Sequence, residues 1–161
     1  MNALKDIIWA ILEHKMKLPR LIKAVYLVDW KCAISGSSRP CRLNWVYGPC
    51  GPTDEQIFTC VKSSPELFSV EENEVKSGDS TCIITAITRT TIEYAPVLSD
   101  DVMRAINHVL KVAMPKKWEE LSILVASTYP IMKSSMFDNL DIDRFSKEYR
   151  DVLRRLGLNP E

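Results

Sequence analysis

The stretch LPRLIKAVYLVDWKCAISG, residues 18–36, constrains the fold more than any other part of the chain. Pro19 suits the first turn of a helix, where its missing N–H would have had no partner, and Gly36 is a natural stop. Between them Leu21, Ile22, Val25, Tyr26, Leu27 and Val28 cover most of the helix circumference rather than one stripe. A helix that is apolar nearly all round must be wrapped by other elements. The rest of the chain therefore has to supply amphipathic partners for it.

Several segments meet that requirement. Leu4, Ile7, Ile8, Ile11 and Leu12 recur at helical spacing and predict a helix over 2–14, with His14 as a surface residue near its C-terminal end. Thr53, Asp54, Glu55 and Gln56 form a capping-box pattern, so a helix is expected from Thr53 to about Ser64, stopped by Pro65. Residues 99–114 read as a helix with Ser99 as N-cap and Asp100 and Asp101 in the first turn. Residues 116–127 give another, closed by Pro130, and residues 141–156 a last one ending at Gly157. LFSVEEN and TCIITAITR, joined by a turn at 76–79, read as two strands of a small antiparallel sheet. LNWVY, 43–47, is a short strand or an extended arm. The expectation is a mainly α, single-domain bundle of about six helices over residues 1–161, with a small antiparallel β element in the middle. A chain of 161 residues buries about 68–70 % of its unfolded surface and needs no metal or disulfide framework.

Charge and cysteine content narrow the function. Lys plus Arg equals Asp plus Glu at 21 each, so no net field draws in nucleic acid or an acidic membrane surface. The last helix carries Arg144, Lys147, Arg150, Arg154 and Arg155, offset by Asp141, Asp143, Glu148 and Asp151, which reads as a solvated face. The apolar run Ile7 to Leu12 is too short for a membrane span and has no small-residue cleavage site, so a cytoplasmic protein with no membrane partner is expected. Five cysteines, Cys32, Cys41, Cys50, Cys60 and Cys82, with no CxxC pair, point to reduced thiols and to no metal site. Cofactor motifs are absent from the sequence.

The sharpest local feature is NWVYGPCGPTDEQ, residues 44–56, which spends two of the chain's five glycines in two Gly-Pro pairs. A phosphate cradle would need free backbone N–H groups, and Pro49 and Pro52 remove two, while Asp54 and Glu55 would repel the anion. A Cys50–His108 nucleophile pair has no support in the spacing; His108 reads as a satisfied structural histidine beside an apolar stripe. No HExxH, GxSxG, Walker or EF-hand pattern occurs. Each proline fixes its own φ and restricts the residue before it, so the loop is stiff. Beside it Trp45 and Tyr47 are candidate aromatic anchors for a partner, with Pro49, Cys50 and Pro52 at the contact; the alternative is that the rings pack beneath the loop as core.

The run LIKAVYLVDWKCAISG, then RP, then WVYGPCGP resembles the Panacea domain of SocA-like antitoxins. PELFSVEEN, LSDD, WEELSILVASTYP and LDIDRFSKEYRDVL follow in the family's order, so the resemblance covers nearly the whole chain. It marks Asp29, Trp30, Trp45, Gly48, Pro49, Gly51 and Pro52 as one signature and Thr128, Tyr129 and Pro130 as a second, with Tyr129 a further candidate contact. The resemblance implies a mostly helical domain acting as the antitoxin of a toxin–antitoxin pair, neutralising a cognate toxin by direct binding. One relative hands its toxin to a cytosolic protease as a proteolytic adaptor, so a protease is a second implied partner. Two departures stand out: Cys50 replaces an aromatic residue between the Gly-Pro pairs, and Ala126 replaces a His common among relatives. The competing expectations are a phage or mobile-element regulator that inhibits a host defence protein, and a small thiol-dependent hydrolase or transferase centred on Cys50.

Overall fold

The computed structural model describes residues 3–159. Its centre is the helix expected from sequence, α2 (Leu18–Ile34), packed against elements on every side. Those elements are α1 (Ala3–Ile11), α4 (Asp100–Val112), α5 (Trp118–Ala126), α7 (Ile142–Arg155) and strands of two small sheets. Leu21, Ala24, Val25, Tyr26 and Val28 are all buried, as an all-round apolar helix requires.

The first sheet has three antiparallel strands in the order β1-β5-β4: β1 (Met16–Lys17), β4 (Phe68–Ser77) and β5 (Ser80–Arg89). Met16 pairs with Ile87 at one edge, and β4 pairs with β5 from Phe68↔Arg89 to Ser77↔Ser80. Gly78 at φ +62° turns the hairpin with Asp79, the backbone that two-residue hairpin loops demand. Ala86 and Ile87 enter the core, whereas residues 69–83 project into solvent. The second sheet is a ribbon, β2 (Val46–Gly48) against β3 (Gly51–Thr53).

Seven helices and two sheets make the described residues a mixed α/β structure around one hydrophobic core rather than a purely helical bundle. The seventh helix is α6 (Tyr129–Met132): Pro130 does not close the preceding helix but sits in the first turn of a new one. The helix after the Gly-Pro run, α3, spans Gln56–Lys62, and its start is held by Asp54 rather than Thr53. Thr53 is the last residue of β3, so its hydroxyl is in a strand; the Asp54 carboxylate accepts from the Gln56 amide at 2.9 Å and from Asn44 N at 2.6 Å. Ser99 and Asp141 cap α4 and α7 by accepting from Val102 N and Arg144 N. No described helix is long and apolar enough to cross a membrane.

Candidate functional site

The Gly-Pro run is a hairpin. Tyr47 pairs with Pro52 and Gly48 with Gly51, which leaves Pro49 and Cys50 exposed at the tip. Gly51 has φ +106°, a conformation that side chains resist, and a Cβ on Gly48 would stand 3.2 Å from the Gly51 carbonyl oxygen. Both glycines are therefore needed to close so short a ribbon. A third strand-like segment runs along its other edge: Phe137 N donates to Tyr47 O at 2.6 Å, Tyr47 N to Asp138 O at 2.9 Å and Leu140 N to Trp45 O at 2.8 Å.

Beneath the ribbon lies a buried polar network. Asp29, 1 % exposed, accepts from Arg39 through both carboxylate oxygens at 2.9 and 2.7 Å, and from the Trp45 indole N–H at 2.7 Å. Arg39 also donates to Leu43 O and reaches Asp143 on α7. Burial alone would lower the Arg39 pKa; the Asp29 and Asp143 carboxylates outweigh it and hold the guanidinium above its ordinary value. Trp45 is 1 % exposed and packs edge-on against Tyr26 with ring centroids 5.3 Å apart. The candidate anchor Trp45 is thus a core residue, because its N–H has an acceptor waiting inside and its ring a partner there. Tyr26 OH shares a hydrogen with Thr128 Oγ1 at 2.8 Å, which ties α2 to the start of α6. Burial, with the Asp29 charge adding to it, raises the Tyr26 pKa and keeps its phenol neutral.

The signature residues accordingly divide. Asp29, Trp30, Trp45, Gly48, Pro52 and Pro130 are buried, Trp30 tilting against Tyr149 at 5.6 Å. Tyr129 is half-buried, edge-on to Phe145 and tilted against Tyr149, with its hydroxyl directed to Glu148. Tyr47, Pro49, Cys50 and Gly51 border an open cavity of about 340 Å³, closed on the far side by Lys23, Trp118, Ser122 and Met136. Ala126 lines the same cavity.

Several members of this face, Trp118 and Ser122 among them, were not singled out from sequence. Lys23, 4 % exposed, donates to the Cys50 carbonyl at 2.6 Å and lies 5.1 Å from the Trp118 ring centroid. A lysine as the single charged residue in the apolar run 21–28 was the available signal. Met136 and Phe137 extend the face; Phe137 is 71 % exposed and holds φ +76°. Nothing in the local pattern SSMFDN announces that conformation.

The Cys50–His108 pair weighed from sequence is not brought together. Cys50 and His108 line different cavities. His108 is exposed rather than a satisfied core histidine, its pKa lowered by burial and then by Lys31 and Lys111. His14 lies beyond the end of α1. Among the described residues no group of three His, Cys, Asp or Glu side chains could hold a metal ion. The chain matches no protein-family model, no curated protein and no solved structure.

Proposed function

We propose that the chain is an antitoxin-like protein of the Panacea type, acting in the cytoplasm, that neutralises a protein toxin by direct binding through the face formed by the Gly-Pro ribbon and the turn at 134–139. The observation that carries this reading is Phe137. A bulky residue at φ +76° costs about 1–2 kcal/mol, and a ring 71 % exposed regains little of that by burial within its own chain. Strain of this kind concentrates where a partner or ligand repays it. Its chain neighbour Met136, 48 % exposed, shares a cavity with Trp118, 41 % exposed, and with the ribbon, whose backbone two prolines and three inter-segment hydrogen bonds hold still. Preorganisation lowers the entropy lost on binding, and aromatic anchors carry most of the affinity of an interface of standard size, roughly 1,600 Å².

The test is co-expression with a candidate toxin drawn from the genes that adjoin this one. Wild-type chain restores growth. Phe137→Asp loses protection while its melting temperature is kept, and Ile83→Asp, on the projecting hairpin, protects like wild type. Cys50→Ser also protects, because no bond is made at that thiol. Full protection by Phe137→Asp sinks the proposed face; loss of protection by Cys50→Ser with the fold intact restores the thiol-dependent reading. Delivery to a protease would show as toxin turnover that requires the chain.

A further inference from the structure

Lys23 is the only buried lysine among the described residues, and no carboxylate there forms an ion pair with it. The contrast is Asp29, a turn and a half further along the same helix, whose charge Arg39 neutralises at 2.7 Å. A cation taken out of water without a counter-charge is expensive. Burial accordingly lowers the Lys23 pKa, the neighbouring Cys50 opposing that shift. An ammonium has three N–H donors; one goes to the Cys50 carbonyl and the Trp118 face lies alongside. The space beside it is kept open by glycine, since a Cβ at Gly51 would come within 2.8 Å of Nζ. The 340 Å³ cavity that Lys23 lines has no acidic residue in its walls, and Tyr47, Ser122 and Trp118 are lining residues whose side chains carry donors, among mostly apolar neighbours.

The geometry points to a carboxylate-binding pocket: an Asp or Glu side chain carried on an apolar segment of a partner polypeptide enters between the ribbon tip and α5, and Lys23 supplies its counter-ion. This rests on, and deepens, the docking reading above by naming what the partner brings. Charge complementarity selects the carboxylate, and the aromatic and aliphatic rim formed by Trp118, Met136 and Pro49 selects the apolar flanks.

The experiment titrates the full chain with acetyl-Leu-Glu-Leu-amide, its Gln counterpart and sodium acetate, following the Lys23, Cys50 and Trp118 indole signals by ¹H–¹⁵N NMR. The Glu peptide binds at least about 10-fold more tightly than the Gln peptide. Lys23→Met abolishes that preference. Ser122→Leu, which fills the cavity and leaves the ammonium in place, abolishes it as well. Equal binding of the two peptides, a preference that survives Lys23→Met, or acetate reproducing the peptide's shifts signal for signal would each overturn the proposal. Because no toxin is present, the outcome is separable from the docking reading: a chain that selects Glu yet protects no cell keeps the pocket and loses the antitoxin role, and the converse holds.

Discussion

Asp29 is held by three donors from two side chains, and it in turn fixes Trp45 and Arg39 beneath the ribbon. Removing one partner of such a pair leaves the other buried and uncompensated, so Asp29→Asn is expected to cost about 3 kcal/mol in urea denaturation. Trp45→Phe, which keeps most of the ring but removes one of the three donors to the buried Asp29, should cost about 1–3 kcal/mol. At the thiols, burial first and the Asp29 charge second push Cys32 to about 11 and Cys41 to about 12, and burial also raises Cys60. A disulfide-exchange reagent at neutral pH should therefore titrate Cys50 and Cys82 rapidly and the other three slowly. The sign for stability follows. The native state keeps thiol protons that the unfolded chain releases, so this stabilisation is complete below the ordinary value of 9.0 and is lost as pH climbs towards 11 and 12. At this scale the sequence was legible in residue type but not in direction. An indole beside a stiff loop looks alike whether it faces a partner or an aspartate 16 positions earlier in the chain.

Among the elements, the ribbon depends on glycine geometry. Gly51→Ala meets both a φ of +106° and Lys23 Nζ at 2.8 Å, so a loss of about 2–3 kcal/mol is expected. Gly78→Ala, at φ +62° with open space around it, should cost only about 1 kcal/mol. Phe137→Gly relieves the left-handed strain at the expense of backbone entropy, so it should leave stability unchanged or raise it by up to about 1 kcal/mol, while weakening partner binding. A fall in both would mean the ring serves the fold. Elements with long periodic patterns, α1, α2, α4, α5 and α7, were legible from sequence because many residues vote on each. The two-residue strand β1, the ribbon and α6 were not, since each rests on pairing or on turns that local composition leaves open. The capping role expected of Thr53 passed to Asp54 because the strand pairing of Thr53 with Val46 took the threonine out of reach.

Across the whole molecule, a buried central helix organises the fold, and its few polar residues mark where the surface is shaped: Asp29 under the ribbon and Lys23 beside its tip. The β4–β5 hairpin projects away from the core and offers an internal control surface, with Ile83 61 % exposed. The ten residues that the sequence resemblance marked carry the architecture more than the contact. Most of them are inside, and the proposed binding face adds Trp118, Met136 and Phe137, which a reading based on the Gly-Pro loop alone would pass over. The most direct measurement is calorimetric titration of the purified chain, and of its Phe137→Asp and Ile83→Asp variants, into the purified toxin that the co-expression test assigns to it. Phe137→Asp is expected to bind about 30-fold more weakly or worse, and Ile83→Asp to bind like wild type. Equal affinity of Phe137→Asp and wild type, or a loss confined to Ile83→Asp, would contradict the proposed face.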